Sequence, residues 1–177
     1  TWAPAGYPTN GQWSVQNGGS QVYQGANGAQ AFYVSPYDLM NVHISGTFRS
    51  NDTDDDFMGF VWSFLNPINP IDTFDAWLFD WKQRDQDAAR EGMSVCRLNG
   101  YIPNSYPGVD HRQFWDHTPS PGFSVVANNW GSSGWGWRTN HDFDLYLTYS
   151  KATIYVDGAL KFEINDCFKP GKFGFYN

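Results

Sequence analysis

Two runs of aromatic and other apolar residues, close together in the first half of the chain, constrain the fold most. The first run covers residues 57–64 and the second covers residues 77–83, and Asp, Asn or Pro residues bound them. Aromatic and β-branched residues are enriched in strands, whereas Asp, Asn and Pro mark strand ends. The stretch from residue 54 to residue 83 therefore predicts two adjacent, well-buried β-strands.

The rest of the chain continues this pattern of short strands. Residues 42–48 alternate between an apolar and a more polar face, which indicates a half-buried strand. Asp157-Gly158, between two apolar runs, is a hairpin signal. Residues 84–91 are the only helix-compatible stretch, and they are too short for more than a turn or two. About ten short strands with turns between them predict an all-β fold, an antiparallel β-sandwich or jelly roll, as a single domain over residues 1–177.

Composition fits a packed domain and argues against nucleic acid as a partner. Hydrophobic residues make up 41% of the 177 residues and aromatic residues 19%, which is ample for a core. The formal net charge is −7, whereas proteins that hold phosphate backbones cluster Lys and Arg. No apolar run reaches the roughly 20 residues that span a bilayer, so membrane insertion is not expected. Because the chain starts without Met or a signal-peptide pattern, we expect a mature fragment or a domain excised from a larger protein.

Three consecutive carboxylates, Asp54, Asp55 and Asp56, precede the first buried run. Adjacent like charges repel unless solvent or a cation neutralises them, and Ca²⁺ takes about six to eight oxygen ligands of the kind that such a loop supplies. We therefore predict Ca²⁺ as a cofactor with these aspartates as ligands; the alternative is a solvated acidic turn. Zinc is not expected, because no His/Cys set has zinc-ligand spacing. Cys96 and Cys167 either form a disulfide or remain free thiols.

Asp80 lies inside the second aromatic run, where an unpaired carboxylate would be costly. Lys82 shares its strand face, so an ion pair between Asp80 and Lys82 is one interpretation. The other is that Asp80 is a further Ca²⁺ ligand or accepts a hydrogen bond from a sugar.

A loop rich in Gly and Trp, residues 128–140, is the best candidate for a ligand site. Trp130 and Trp137 lie among glycines that cannot bury them locally, and aromatic faces can stack on the apolar C–H faces of sugars. The side chains in this loop that could bond sugar hydroxyls include Asn128, Asn129 and Arg138. The alternative is that the tryptophans close the edge of the sandwich. Trp115, in a second long loop over residues 101–116, is a further ligand-binding candidate.

An ordered set of motifs also carries a family resemblance. The set comprises Asp54-Asp55-Asp56-Phe57-Met58-Gly59-Phe60-Val61-Trp62, Trp81-Lys82-Gln83, Gly92-Met93-Ser94-Val95, Phe114-Trp115-Asp116-His117-Thr118, Gly134-Trp135, Ile154-Tyr155-Val156-Asp157-Gly158 and Gly171-Lys172-Phe173-Gly174-Phe175-Tyr176. It resembles the C-terminal jelly-roll module of thrombospondins and its bacterial relatives, in the concanavalin A-like (L-type lectin) group. The resemblance covers most of the chain from Thr47 onward and departs from the pattern at Ser63 and Leu65.

The resemblance implies a function as well as a fold. Bacterial modules of this kind resemble ligand-binding units in very large calcium-dependent surface adhesins. We therefore expect an extracellular, lectin-like domain that binds a cell-surface glycan or a peptide, contributes to cell adhesion and has neighbouring domains in a larger adhesin. Trp135 belongs to the family pattern, which implies a structural role for it. Relatives continue through one more strand beyond Asn177, and a missing strand would expose a sheet edge to a peptide.

Two other functions compete with ligand binding. In one, Ca²⁺ only stiffens a structural module. In the other, the chain is a glycoside hydrolase, which needs two carboxylates about 5–9.5 Å apart across the scissile bond. No Glu-x-Asp-x-x-Glu series is present, so we do not expect an enzyme. For His111, His117 and His141, each beside an aspartate, we expect a surface or structural role, because a catalytic pair also requires a nucleophile placed in space.

Overall fold

The computed structural model describes residues 1–6, 11–26, 30–65, 73–101, 112–131 and 134–177. The thirteen strands of these residues are, in chain order, Ala3–Gly6 (β1), Trp13–Gln16 (β2), Gln21–Gln24 (β3), Ala31–Leu39 (β4), Val42–Phe48 (β5), Phe57–Leu65 (β6), Thr73–Lys82 (β7), Gly92–Tyr101 (β8), Phe123–Asn128 (β9), His141–Leu147 (β10), Lys151–Val156 (β11), Ala159–Asn165 (β12) and Gly171–Tyr176 (β13). The α-helix is the single turn Gln113–Asp116 (α1), and Asn17–Gly19 forms a 3₁₀ turn. In this part of the chain, no helix has the length and apolar character needed to cross a membrane.

The strands form two antiparallel sheets and a separate hairpin. The larger sheet has seven strands in the order β1-β4-β13-β6-β7-β8-β9, and the smaller has four in the order β12-β11-β10-β5. Strands β2 and β3 pair only with each other. Side chains of both sheets meet in one apolar core, so the predicted antiparallel β-sandwich of jelly-roll type is confirmed.

The two strands predicted from the aromatic runs are β6 and β7, which pair in the middle of the larger sheet. Met58, Phe60 and Trp62 of β6 face the smaller sheet, whereas Phe57 and Val61 face the opposite side. Both sides of β6 are buried, and this explains why its sequence is apolar throughout instead of alternating.

Aromatic side chains fill the space between the sheets. The ring of Phe60 lies 4.8 Å from that of Phe79 on β7 and 5.1 Å from that of Phe143 on β10. Phe48, at the end of β5, stacks on Phe143 at 4.5 Å. The half-buried character predicted for residues 42–48 is confirmed, since their inner residues join this core and the alternate residues are exposed.

A second apolar cluster covers the outer face of the larger sheet. Phe114 of α1 packs against Phe32 and Phe123 in this cluster. Ala89 is buried there as well. Residues 84–91, for which the sequence allowed at most a turn or two of helix, form a tight turn instead, which Gln86 and Ala89 close with two backbone hydrogen bonds of 3.0 and 2.9 Å. Burial of Ala89 has overridden the weak helical preference of this charged segment.

Lys82, at the end of β7, is a fully buried cation. Its Nζ donates hydrogen bonds to the Asp55 carbonyl and to Asp55 Oδ1, both at 2.7 Å, and to Gln86 Oε1 at 3.1 Å. The ammonium also lies 4.4 Å from the centre of the Trp115 ring. Arg84 Nε donates to the other carboxylate oxygen of Asp55 at 2.6 Å. Burial raises the pKa of Asp55, but the hydrogen bonds from Lys82 and Arg84 outweigh it and hold the pKa below its ordinary value.

The cysteine alternatives are resolved in favour of free thiols. Cys96 is buried on β8 and Cys167 is exposed after β12, and they form no disulfide.

We expect the substitution Asp55→Asn to lower the free energy of unfolding by about 3 kcal/mol, because it leaves the Lys82 ammonium buried without a counter-charge. Arg84→Gln is the matched control: the Arg84 side chain is 64% exposed, and an exposed ion pair contributes at most about 1 kcal/mol. Urea denaturation measures both variants. Equal losses from the two substitutions would contradict the importance of the buried pair.

The contribution of Asp55 should also disappear in acid. Its pKa is lower in the folded chain than in the unfolded chain, so its contribution is complete above the unfolded value of about 4 and is lost as the pH falls through the folded value. The difference in unfolding free energy between wild type and Asp55→Asn should therefore be full at about pH 7 and shrink below about pH 4. A difference that stays constant down to about pH 2 would show that the charge of Asp55 is not its cause.

Candidate functional site

The acidic loop, which we define as residues 51–56, connects β5 to β6. Its aspartates first organise their own backbone: Asp52 Oδ1 accepts hydrogen bonds from the N–H groups of Thr53 and Asp54 at 2.7 and 3.2 Å. Asp54 Oδ1 accepts one from the N–H of Asp55 at 3.0 Å. Such side-chain-to-backbone bonds are the usual reason for Asp in tight turns.

Within the acidic loop, the three predicted metal ligands have different surroundings. Asp54, Asp55 and Asp56 each offer a carboxylate oxygen, and these oxygens lie within 4.8 Å of one another. Both carboxylate oxygens of Asp55 already bind cationic side chains, so Asp55 is the counter-ion of Lys82 and Arg84. Burial, followed by the nearby charge of Asp54, raises the pKa of Asp56. Asp54 and Asp56 are therefore the carboxylates whose repulsion an added cation would relieve, and their hard oxygen atoms fit Ca²⁺.

Trp135 connects the acidic loop to the sandwich core. Its side chain is buried, and its Nε1 donates a hydrogen bond of 3.0 Å to the Asp56 carbonyl. Gly134 precedes it because a Cβ there would lie 1.7 Å from the Gln83 carbonyl oxygen. The structural role that the family pattern implied for Trp135 fits these contacts.

A cavity of about 870 Å³ opens beside the acidic loop. We call this cavity the aromatic cleft, because aromatic rings form one of its walls. That wall is built on Tyr33 of β4 and Phe175 of β13, which are cross-strand partners. The Trp2 ring stacks on both, with ring centres 5.8 Å from Tyr33 and 5.6 Å from Phe175. Trp13 of β2 stacks on Tyr33 at 5.7 Å. Three nearly parallel stacking contacts thus line one side of the cavity.

The sheet topology explains why this space is open. The smaller sheet ends at β5, whereas the larger sheet continues from β6 through β13 and β4 to β1. Residues of β5 and of the β2–β3 hairpin form the remaining walls of the cleft. Asn51, Asp52, Asp54 and Asp56 of the acidic loop are also among its lining residues. The cleft and the acidic loop are therefore one continuous site that combines aromatic rings with carboxylate and amide oxygens.

Two of the predicted ligand-binding residues, Trp137 and Arg138, contact Ser50 and Asn51, which form part of the rim of the cleft. Trp137 is 48% exposed, and its Nε1 donates a long hydrogen bond of 3.4 Å to the Asn51 carbonyl. The Arg138 guanidinium lies 4.6 Å from the centre of the Trp137 ring, and the Arg138 N–H donates to the Ser50 carbonyl at 3.0 Å. Ser50 and Asn51 both line the cleft. The Trp137–Arg138 pair thus extends the rim outward.

The other predicted ligand-binding residues contact different elements. The Trp130 ring lies 5.6 Å from both the Arg90 guanidinium and the His117 ring. Asn129 Oδ1 accepts a hydrogen bond of 2.8 Å from the Met93 N–H, and Asn128 is exposed at the end of β9. Trp115 is half-buried against the Lys82 ammonium. The structure therefore does not bring the six predicted residues into one site, and a ligand role for these four remains a prediction.

The interpretations of Asp80 need a correction, because Asp80 does not pair with Lys82 and does not lie beside the aspartates of the acidic loop. Its Oδ1 accepts a hydrogen bond of 2.5 Å from the Ser94 hydroxyl, and its Oδ2 lies 2.8 Å from His117 Nε2. Lys82, two residues further along β7, binds Asp55 instead. The expected structural role of His117 fits this buried contact. His111 lies outside the described residues, and His141 Nδ1 lies 2.8 Å from Asp157 Oδ2.

The aromatic cleft is the part of the site that the sequence did not indicate. The residue pattern predicts short strands at residues 13–15, 21–24 and 31–34. No local sequence feature distinguishes a tryptophan that lines a cleft from one that closes a core. The cleft residues come from both ends of the chain and meet only through the β4–β13 pairing. A prediction of strand order would have been needed to find it.

Comparison with known proteins finds solved structures that share this fold. Among solved structures, a carbohydrate-binding module, CBM66 from Bacillus subtilis, matches with a TM-score of 0.67 at 12% identity, over 99% of this chain and 86% of that one. A Bacillus subtilis protein of unknown function with a galectin-like fold matches with a TM-score of 0.61 at 10% identity, over 99% and 81% of the two chains. A glycoside hydrolase family 16 endo-glucanase from Bacteroides ovatus matches with a TM-score of 0.52 at 9% identity, over 99% and 78%.

At such identities these structures establish a shared fold and nothing more about function. No curated protein sequence matches the chain significantly. The family model described as "Thrombospondin C-terminal region" matches residues 8–97, just over half of the chain. The sequence resemblance is thereby confirmed at the level of the family. This protein belongs to the thrombospondin C-terminal region family.

Proposed function

We propose that this chain is a non-catalytic, lectin-like carbohydrate-binding module that holds a cell-surface glycan in the aromatic cleft. The observation that carries the proposal is the continuity of the cleft with the acidic loop. Trp2 and Trp13, which are half-buried and stack on the buried Tyr33, offer aromatic surface to the apolar C–H faces of a sugar. Asn51 and the aspartates of the loop offer acceptors for its hydroxyls at the rim of the same space. The cavity of about 870 Å³ lies within the range of small-molecule sites, about 300–1,000 Å³.

The distribution of carboxylates favours binding over hydrolysis. A hydrolase needs its two carboxylates on opposite sides of the scissile bond. Among the described residues, the carboxylates that line the cleft are Asp52, Asp54 and Asp56, and they all belong to one short segment on one side of it. They can accept hydrogen bonds or bind a cation, but they cannot flank a glycosidic bond. The fold likeness to CBM66, with its higher TM-score than the family 16 endo-glucanase, agrees with this choice.

We further propose that Ca²⁺ braces the acidic loop through Asp54 and Asp56. The raised pKa of Asp56, caused by burial and then by Asp54, indicates a carboxylate whose negative charge is poorly compensated. A hard divalent cation would remove that cost, fix the loop and so hold the rim of the cleft. The ion's chemistry here is charge compensation, and the glycan contacts come from the protein's own aromatic rings and from the oxygen acceptors of the loop.

The proposed setting is extracellular, within a larger adhesin whose neighbouring domains carry this module to its target. This setting is the one that the family resemblance implies. A peptide ligand and a purely structural module are the competing functions, and both are outcomes of the binding experiment below.

We expect the purified domain to bind at least one oligosaccharide on a glycan array, and Trp13→Ala to weaken that binding by about tenfold or more, as truncation of an aromatic anchor does. Trp13→Phe, which keeps a ring, should retain most of the affinity. Tyr149→Ala is the matched control, because Tyr149 is an exposed aromatic residue outside the cleft. Titration calorimetry with the best oligosaccharide measures each variant.

The same experiment separates the alternatives. Loss of binding in Trp130→Ala or Trp137→Ala but not in Trp13→Ala would move the site to the Gly/Trp-rich loop. No bound glycan with or without Ca²⁺ would favour the peptide-binding or structural function. Release of reducing sugar from a bound glycan would show a hydrolase.

For the ion, we expect Ca²⁺ to raise the melting temperature of the wild type, since a ligand of the folded state alone must stabilise it. The effect of Asp56→Asn on the melting temperature should have opposite signs without and with Ca²⁺. Without Ca²⁺ the substitution should raise the melting temperature, because it removes a half-buried carboxylate that repels Asp54. With Ca²⁺ the variant should melt below the wild type, because it has lost a ligand of the ion.

Differential scanning calorimetry in Ca²⁺ and in chelator measures both effects. Glu163→Gln, an exposed carboxylate on β12, is the matched control and should respond to Ca²⁺ as the wild type does. A wild-type melting temperature unchanged after thorough chelation would mean that the acidic loop is a solvated turn.

A further inference from the structure

A cluster of polar side chains, distinct from the aromatic cleft, lies on the outer face of the larger sheet. It consists of Asp80 on β7, Ser94 and Cys96 on β8, and His117 after α1. All four are at most 5% exposed. Neither the proposed glycan site nor the acidic loop uses them. Burial of such groups is costly, and apolar residues would fill the space more cheaply, so the cluster requires an explanation.

We propose that Asp80, Cys96 and His117 form a buried site for a thiophilic divalent metal ion, with Zn²⁺ as its preferred occupant. A carboxylate oxygen of Asp80, Sγ of Cys96 and a ring nitrogen of His117 lie within 4.8 Å of one another. Their separation lets one ion contact all three after small side-chain shifts, given Zn–N and Zn–O bonds of about 2.0–2.2 Å and a Zn–S bond of about 2.3 Å. The inference does not depend on the proposed glycan function.

The donor set selects the kind of metal. One thiolate, one imidazole and one carboxylate are ligands that Zn²⁺ accepts in tetrahedral geometry, whereas Ca²⁺ requires about six to eight oxygen atoms. Ser94 Oγ lies 3.1 Å from His117 Nε2, 3.5 Å from Cys96 Sγ and donates to Asp80 Oδ1 at 2.5 Å. Ser94 Oγ is thus within reach of all three donors, where it can orient them by hydrogen bonding.

Charge balance also favours this occupant. On metal binding the Cys96 thiol loses its proton to solvent, and the thiolate and the Asp80 carboxylate together neutralise a divalent ion while the His117 ring stays neutral. The buried site then carries no net charge.

The backbone holds the three donors rigidly. Asp80 and Ser94 are directly opposite each other in the β7–β8 pairing, and Cys96 is the next residue of β8 on the same face. His117 has a left-handed backbone (φ 55°, ψ 25°) at the end of α1, a conformation that is uncommon outside Gly and recurs at functional sites.

The alternative is a metal-free ion pair of His117 and Asp80, joined by the Ser94 hydroxyl. Cobalt distinguishes the two, because Co²⁺ replaces Zn²⁺ in such sites and reports thiolate ligation through a charge-transfer absorption band. Cys167 is exposed and is one of only two cysteines in the chain. Cys167→Ser therefore gives a parent protein in which Cys96 is the only thiol.

We expect this full-length parent, produced in cobalt-supplemented medium, to contain one Co²⁺ per chain and to show both the thiolate charge-transfer band and the visible bands of a tetrahedral site. Production in zinc-supplemented medium should give one Zn²⁺ per chain by elemental analysis. The added substitution Cys96→Ser should abolish the charge-transfer band, and Ser94→Ala should retain it. The Ca²⁺-dependent melting shift should be the same in the parent and in Cys167→Ser/Cys96→Ser.

The parent protein alone can overturn the proposal. A folded parent with less than a tenth of an equivalent of Co²⁺ or Zn²⁺ and no charge-transfer band would establish the metal-free pair. A band that survives Cys96→Ser, in a chain without any thiol, would show that the band does not come from Cys96 and would also overturn the proposal. Failure of Cys96→Ser to fold would leave the decision with the parent spectrum and with Asp80→Asn, which should weaken metal retention at least tenfold.

Discussion

The buried contact between Lys82 and Asp55 determines how the rest of the site is arranged. A cation at the end of β7, with no exposed surface, must have a counter-charge, and the loop before β6 supplies it. This contact holds the acidic loop against the end of β7. It also divides the consecutive carboxylates between two roles, since Asp55 is used by the fold while Asp54 and Asp56 are left at the rim of the cleft. The Trp135 side chain, bonded to the carbonyl of Asp56, fixes the loop from the other side.

Local sequence predicted those parts of the fold that depend on local composition. The strands β6 and β7 were evident because a run of aromatic residues buried on both faces has no polar alternation to obscure it. The half-buried β5 was evident because its period of two is complete over residues 42–48. The helix-compatible stretch over residues 84–91 forms no helical turn, because a single buried side chain, Ala89, and two backbone hydrogen bonds decide its conformation. Propensity is a weak signal when one tertiary contact opposes it.

The sites were harder to predict, because their residues meet only in the folded chain. One of the two interpretations of Asp80 pairs it with Lys82 because they are neighbours on one strand face, whereas the partner of Lys82 is Asp55, 27 residues away in sequence. His117 reaches Asp80 across 37 residues, which no metal-ligand spacing rule covers. Tyr33 and Phe175 become neighbours through a strand pairing that joins the two ends of the chain. Each of these contacts depends on the strand order of the larger sheet, and strand order is not a local property of sequence.

The β2–β3 hairpin has a consequence for how such a module diversifies. It forms one wall of the cleft but pairs with neither large sheet, and Trp13 rests on Tyr33 through ring stacking. An isolated hairpin contributes little stability of its own. Substitutions, insertions or replacement of this hairpin can therefore reshape one side of the cleft without disturbing any strand pairing of the sandwich. Under the proposed function, recognition and folding are therefore encoded in separable segments, and changes confined to residues 13–24 would alter the bound glycan while the aromatic core is left unchanged.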